Sequence, residues 1–538
     1  MLRLAAKRLM VTGAVVAGGI AGYKLFLGHA VVPVAPVTKL PDFTSAAKLP
    51  DFAQIDNLPD FVPYILIGAG TASYYAALTI RARDPDAIVL ILGDEDENAY
   101  SRTHLSKELW WYGDKNFAET LQYKSLTGRT KDVYFEVDGF YPKPSDWSKF
   151  PHGCISILKN APVDRIDVEK NAVILKSGQK IGFNKCLIAT GSRPKISTEL
   201  KRSDLKDRVH TFYTIKDLRE VNSILNKSKC VAIIGGGFLA SELAYSIKRR
   251  HHHVKDVDIY QVFEEADILE EALPAKISED ASRQLFKQGV TLVNKVTIFD
   301  VSHTSDNRLK LILKKDDGSK REIVVDHIID ASGSEPNIEL ATKSGLQIDK
   351  TNGGVIVDSG MRARSDIFAA GDVSSFVDLN LGRRRIEHAE NAEITGRVAG
   401  ENMTNGNRAY PRQASFHSAV GANAHMIGVG RVNPKLKTVV VSAQRDPEFD
   451  DELRAVTFYV DKDVIVGVLM YNVFGDGILV ARKLIEDKAS TKHAADLGRL
   501  FHLYPMPKEE TDVAEANAKF LAFSKSVSIR FIGTFRSC

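Results

Sequence analysis

Three observations predict an α/β fold with a separate C-terminal α+β part. An apolar run, a glycine turn, a helical pattern, a second apolar run and an acid follow one another over 64–94. The same order returns over 230–265. Late in the chain, 453–460 and 464–470 alternate like antiparallel strands around a turn at 461–463. The first two patterns are those of βαβ units that cradle a dinucleotide. Together they predict two Rossmann-like nucleotide-binding domains of the glutathione-reductase type, followed by the α+β domain.

Composition permits this plan. The 538 residues are 44% hydrophobic and 26% charged, which suits several packed cores. A net charge of +4 over that length does not by itself argue for nucleic acid. Cys154, Cys186, Cys230 and Cys538 stand far apart. That spacing excludes a zinc pattern, a disulfide framework and a dithiol relay. The consecutive His251, His252 and His253 read as surface, because neighbours on a helix point apart.

Residues 1–30 read as a targeting and membrane-anchor segment. Arg3, Lys7 and Arg8 precede an apolar run over 9–23, and no acid occurs before Asp42. Such an N-terminus fits a mitochondrial signal and also a secretory n-region. The reading taken is mitochondrial, with an inner-membrane anchor helped by the Gly18 and Gly22 spacing. A cleaved signal is the alternative. Residues 31–61 then repeat LPDF at 40–43, 49–52 and 58–61. Proline at that frequency favours a semi-rigid spacer over a docking peptide.

The first nucleotide-binding domain is expected over 62–194. YILI at 64–67 is a strand, GAGT at 68–71 the turn, and 72–83 the helix. Gly68 permits the tight turn, and Gly70 lets backbone approach a pyrophosphate at the helix N-terminus with Thr71 beside it. Asp94 follows the second strand as a ribose acceptor. Arg102 is placed to fork phosphate oxygens, and Lys107 to bring positive charge to the redox end. The second domain is expected over 195–333. Its turn carries Gly235 and Gly237, then Phe238 and Leu239, and its second strand ends at Glu264 and Glu265. An acid there prefers the free 2′-hydroxyl of NAD to a 2′-phosphate. The strand over 325–333 ends at Gly333 and starts the return crossing. The chain re-enters the first domain over 334–411, where Asp372 follows a strand and would meet a ribityl chain, which assigns FAD to the first site. The C-terminal domain covers 412–506, with a terminal helix starting near Ala481, and 507–538 is a tail.

The motifs RARDP (81–85), LSKELW (105–110), KCLIATG (185–191), IIGGGFL (233–239), AGD (370–372), LGRRR (381–385) and GENMT (400–404) carry a more specific signal. Over about 62–490 the chain resembles the mitochondrial apoptosis-inducing factor family. That resemblance implies FAD and NAD as cofactors, and hydride transfer from NADH to FAD. It implies a Lys107–Glu242 pair near the flavin, Phe238 and Glu242 on the nicotinamide, and Glu387 and His388 at the nicotinamide side. Val163, His388 and His417 are implied at the FAD site. The sequence departs from the family at Thr103 and His104, at Thr214 in place of an adenine-side arginine, at Ala389 in place of a second histidine, and at His417 in place of a tryptophan. The acidic insertion before the late hairpin is short here, only 445–451.

Two functions follow from the resemblance. One is an FAD-dependent NADH oxidoreductase of the inner membrane facing the intermembrane space, acting in respiratory-chain maintenance and apoptosis. The other is a redox-controlled NADH sensor. For that sensor a homodimer formed on reduction, an intermembrane-space oxidoreductase partner, non-specific DNA, and release to cytosol and nucleus are expected. The basic run 383–385 is read as a solvated loop rather than a DNA contact.

Overall fold

The strand Phe61–Ile67 lies inside a parallel sheet, and its apolar run explains why: a strand covered on both faces has no solvent side to alternate towards. A computed structural model describes residues 55–125, 127–251, 257–443 and 453–503. The first sheet runs in the order Arg362–Arg364, Ile367–Ala369, Lys180–Ile188, Phe61–Ile67, Ile88–Leu92, Cys154–Leu158. Ile65 stands in register with Leu90 on one side and Cys186 on the other. The hairpin Val163–Asp167 and Ala172–Leu175 joins Lys180–Ile188 off this path. The late strand Ile367–Ala369 completes the sheet, so the chain leaves this layer and returns to it.

Helix Thr71–Arg83 packs on helix Ala389–Met403. The close approach depends on two glycines. A Cβ on Gly396 would stand 2.3 Å from the Ala72 carbonyl oxygen, and one on Gly400 2.6 Å from that of Ala76. Gly396→Ala is therefore expected to destabilise the protein by about 1–3 kcal/mol despite its better helix propensity, read as a lower Tm in thermal unfolding.

A second sheet is parallel throughout, in the order Val209–Thr211, His327–Asp330, Cys230–Ile234, Asp258–Val262, Thr291–Val293. An antiparallel sheet, Val296–His303, Leu309–Lys315 and Lys320–Val325, precedes the return strand. The strand expected over 325–333 is thus divided between two sheets. Asp326 divides it: its carboxylate accepts from the Lys229 and Cys230 amides at 2.7 and 3.0 Å. The two crossings between the sheets, Ser192–Pro194 and Ser334–Pro336, pair antiparallel.

A chain of side chains ties strand Val209–Thr211 to its neighbour. Arg208 donates to His327 Nε2 at 3.3 Å, and His327 Nδ1 lies 2.9 Å from His210 Nε2. His210 Nδ1 lies 2.7 Å from Glu220. Only neutral imidazoles, each donating through Nδ1, satisfy every link. Burial, then His210 and Arg208, lower the His327 pKa to about 4. Because the folded value lies below the unfolded one of about 6.5, the unfolded chain binds more protons between those values. Stability from this group is full above pH 6.5 and is lost as pH falls towards 4. After discounting for solvent screening the loss is about 1–2 kcal/mol. His327→Gln should lose correspondingly less stability than the parent between pH 7 and 4.5 in denaturant titrations.

The last sheet is antiparallel, in the order Ser415–Ala419, His425–Gly430, Val464–Tyr471, Ala455–Asp461, Lys437–Ser442. Its central hairpin turns on Lys462 and Asp463, both at positive φ, 50° and 65°. That geometry suits a two-residue turn between twisted strands. The helix expected to start near Ala481 begins earlier, as Gly477–Glu486, and Ala494–Arg499 follows it. At the other end, the spacer boundary at 61 is corrected. Ile55 exchanges hydrogen bonds of 2.8 and 2.9 Å with Gln179, Leu58 packs on the first core, and Phe61 opens the first strand. The leader, the first two LPDF repeats, His252, His253, the 445–451 stretch and the tail lie outside the described residues. Among the described residues no helix is long and apolar enough to cross a membrane, and no group of three or more His, Cys, Asp or Glu could hold a metal.

Candidate functional site

Two glycine turns set the geometry. Gly68 has φ 106°, and a Cβ there would stand 2.2 Å from the Ala189 carbonyl oxygen. Gly235 repeats this, with φ 121° and Ala331 O at 2.6 Å. Both positions therefore need glycine. A Cβ on Gly70 or Gly237 would meet nothing within 4 Å, so backbone there faces open space. Helix Thr71–Arg83 has no side-chain cap on Gly70 and no acid in its first turn. Helix Phe238–His251 likewise lacks a first-turn acid. Their leading N–H groups remain available to an anion.

A cleft of about 650 Å³ runs along the first turn. Gly68, Gly70, Thr71, Asp94, Arg102, Asp372 and His388, all expected at the FAD site, line it, together with Leu239 and Glu387, which were expected on the NAD side; Lys107 is not among the lining residues. Asp372 Oδ2 accepts from Ser192 Oγ at 2.9 Å. Burial first, then Glu387, pushes its carboxyl up to about 6. Val163 is not among the lining residues. It starts a hairpin strand and packs on the first core, where an apolar β-branched residue is better accommodated. His417 is also outside the lining and lies exposed on strand Ser415–Ala419.

Arg102 differs from its expected free fork. It donates 2.6 Å to Glu95, 2.6 Å to the Tyr100 hydroxyl and 3.0 Å to the Tyr213 carbonyl. Its guanidinium also lies over the Tyr100 and Tyr213 rings at 4.8 and 4.4 Å. Thr214 is not a truncated arginine but a helix N-cap. Its hydroxyl accepts from the Asp217 amide at 3.2 Å in a capping box. The cation of this part of the cleft is Arg102. Glu95 and Tyr213, which hold it, were not singled out in the sequence, although Glu95 directly follows Asp94.

Beside the cleft, three distant segments meet at Lys107, Glu242 and Ser418, none of which lines either cavity. Lys107 Nζ lies 2.9 Å from Glu242 Oε2, with the side chains 15% and 7% exposed. Ser106 Oγ donates to the same oxygen at 2.7 Å, and Ser418 Oγ donates to Glu242 Oε1 at 2.7 Å. On the far side, Phe238, Phe416 and His388 form an aromatic wall, with Phe416 5.1 Å from Phe238 and 4.9 Å from His388. Burial, then Arg384, lowers the His388 pKa to about 4, so the ring is neutral near pH 7. A second cavity of about 650 Å³ opens beyond this wall, with Glu387 and His388 shared between the two. Glu387 accepts from Arg385 and Ser334, the latter next to Gly333, which itself lines neither cavity.

The basic run 383–385 is not a loop but mostly strand, Gly382–Arg384, and each arginine finds protein acceptors. Arg383 donates to the Val357 and Ser375 carbonyls, Arg384 to Asp378, Gln413 and Gly430, and Arg385 to the Asn352 and Asp372 carbonyls. These acceptors tie the side chains to neighbouring segments, with Arg384 and Arg385 half-buried and Arg383 still exposed. At the second turn, Glu265 Oε2 is buried and accepts no hydrogen bond among the described residues. A Cβ on Gly236 would stand 2.8 Å from it.

Residues 62–396 match the family described as pyridine nucleotide-disulphide oxidoreductase. The chain is 32% identical over 448 residues to apoptosis-inducing factor 1, mitochondrial, of Dictyostelium discoideum, covering 80% of this chain and 81% of that one. The chain belongs to the apoptosis-inducing factor branch of the pyridine nucleotide-disulphide oxidoreductases. A putative apoptosis-inducing factor 1, mitochondrial, of Drosophila melanogaster is 30% identical over 490 residues, 82% of this chain and 66% of its own length. The solved covalent complex of putidaredoxin reductase with putidaredoxin shares the fold, with a TM-score of 0.65 and 19% identity over 79% of this chain and 93% of that one. Membership makes this oxidoreductase a flavoprotein that uses FAD and a nicotinamide dinucleotide. Cys154, Cys186 and Cys230 are free in it. Among the described residues none of them forms a disulfide or a close dithiol pair.

Proposed function

We propose that this oxidoreductase passes electrons from NADH to FAD in mitochondria and on to an acceptor that is not a disulfide, in support of the respiratory chain and apoptosis. The single observation that carries the reading is the buried Lys107–Glu242 pair. It brings a residue of the FAD side against the helix that follows the second glycine turn. The relatives named mitochondrial support the location, and the orphaned Glu265 oxygen supports NADH over NADPH.

The residues present fit both groups. Gly68, Gly70 and Thr71 offer a pyrophosphate the open N-terminus of helix Thr71–Arg83, and Asp94 and Asp372 offer acceptors to ribose and ribityl hydroxyls. Gly235 and Gly237 would do the same for NAD, with the Glu265 carboxylate against Gly236 of that turn as the ribose acceptor. Bound together, the two cofactors supply hydride transfer from the nicotinamide to the flavin. Lys107 supplies positive charge that favours the electron-rich reduced state, and Glu242 holds the ammonium in place. Phe238, Leu239, Phe416 and neutral His388 give apolar and aromatic surface that excludes water. Glu387 is positioned by Arg385 and Ser334. The reading is tested by anaerobic titration with NADH: loss of the yellow flavin spectrum and rapid reoxidation by a quinone or ferredoxin are expected.

The second reading is a redox-controlled sensor that dimerises on reduction and meets DNA, a partner oxidoreductase or the inner membrane. A long-lived long-wavelength band with slow turnover in the same titration would favour it. Arginines 383–385 are engaged by protein acceptors, which weighs against DNA there.

A further inference from the structure

Glu242 is a carboxylate with more hydrogen bonds than an ion pair needs. Oε2 takes both Lys107 Nζ and Ser106 Oγ, and Oε1 takes Ser418 Oγ. Both serines are themselves buried. Ser106 is the chain neighbour of Lys107, so the two grip one oxygen from one segment. That segment is anchored to helix Phe238–His251 a second time, because Ser246 Oγ donates to the Ser106 carbonyl and Trp111 Nε1 donates to Ser246 Oγ. Ser418 acts from the opposite direction. It lies on strand Ser415–Ala419 of the C-terminal sheet and is the partner of Oε1.

We propose that Ser418, with Ser106, is a positioning residue for the electron transfer assigned above, and that through Ser418 the C-terminal domain sets how far Glu242 cancels the charge of Lys107. The inference rests on the NADH–FAD reading. A hydroxyl dipole on each oxygen disperses the carboxylate charge and fixes the rotation of the carboxyl plane. With Oε1 held by Ser418, the carboxylate cannot swing both oxygens onto the ammonium. Lys107 then keeps a larger share of its positive field for the flavin. Without Ser418, Glu242 is free to close on Lys107 with both oxygens, the field weakens, and the reduced flavin loses stabilisation.

The test uses the full FAD-loaded protein. Ser418→Ala is expected to slow anaerobic reduction by NADH roughly tenfold with KM for NADH unchanged within about twofold. It should also move the flavin midpoint potential to a more negative value, a readout that a merely structural role does not shift in one direction. In the Glu242→Gln background, Ser418→Ala should produce no further shift in potential, because the charge it tunes is gone. Ser106→Ala should shift the potential in the same direction and keeps the idea testable if Ser418→Ala fails to retain FAD. A folded, FAD-loaded Ser418→Ala protein with parental rate and potential overturns the proposal while leaving the NADH–FAD reading intact. A parent protein that NADH does not reduce overturns that reading and this inference with it.

Discussion

Glu242→Ala should leave the protein about 3 kcal/mol less stable and slow its reduction by NADH by about two orders of magnitude. Both effects have one origin. Lys107 is only 15% exposed, and its partner among the described residues is Glu242 at 2.9 Å. Removing the carboxylate strands a mostly buried ammonium and leaves the Ser106 and Ser418 hydroxyls without their acceptor. The stability loss is read by thermal or denaturant unfolding, and the rate by stopped-flow absorbance under anaerobic conditions. Glu242→Gln keeps volume and hydrogen bonding but not charge, so it should recover most of the stability and little of the rate. If Glu242→Ala leaves reduction and NADH binding untouched, the pair has no part in electron transfer.

Glu265→Ala should lower the preference for NADH over NADPH roughly a hundredfold. A charged hydrogen bond to the ribose diol is lost, and repulsion of a 2′-phosphate is removed. The expectation follows from the buried Oε2, which has no hydrogen-bond partner among the described residues, beside a turn whose glycine has no Cβ to block it. The ratio of kcat/KM for the two nucleotides, measured for parent and variant, checks it. A parent that takes NADPH as well as NADH, or a variant with an unchanged ratio, would show that Glu265 does not read the ribose.

The contrast between these two residues shows what was legible before the structure. Glu265 is legible by counting, because it follows the strand Asp258–Val262 after the second glycine turn and the motif fixes its distance along the chain. Glu242 and Lys107 came from a family resemblance, since nothing local to either helix distinguishes a redox charge from a surface charge. Arg102 lines the cleft, with its guanidinium held by protein acceptors. Its partners Glu95 and Tyr213 come from two different domains. Val163 packs on the first core, and Thr214 caps its own helix while lining the cleft. A correspondence of residue position does not say which way a side chain is used, and Thr214 is used by its own helix. The arginines 383–385 looked solvated as a charge run, yet their acceptors are carbonyls and carboxylates of strands that the run itself does not announce.

By itself the sequence determined the two glycine turns, the parallel strands around them and the acid that follows each. These depend on backbone conformation and hydrophobic period, which act over a few residues. Tertiary structure alone decided that Ser418 closes on Glu242 across 176 residues, and that Glu265 keeps an oxygen unpaired among the described residues. Electrostatic work at a site is done by whichever donors the folded chain brings within 3 Å, and that proximity has no period for a sequence to display.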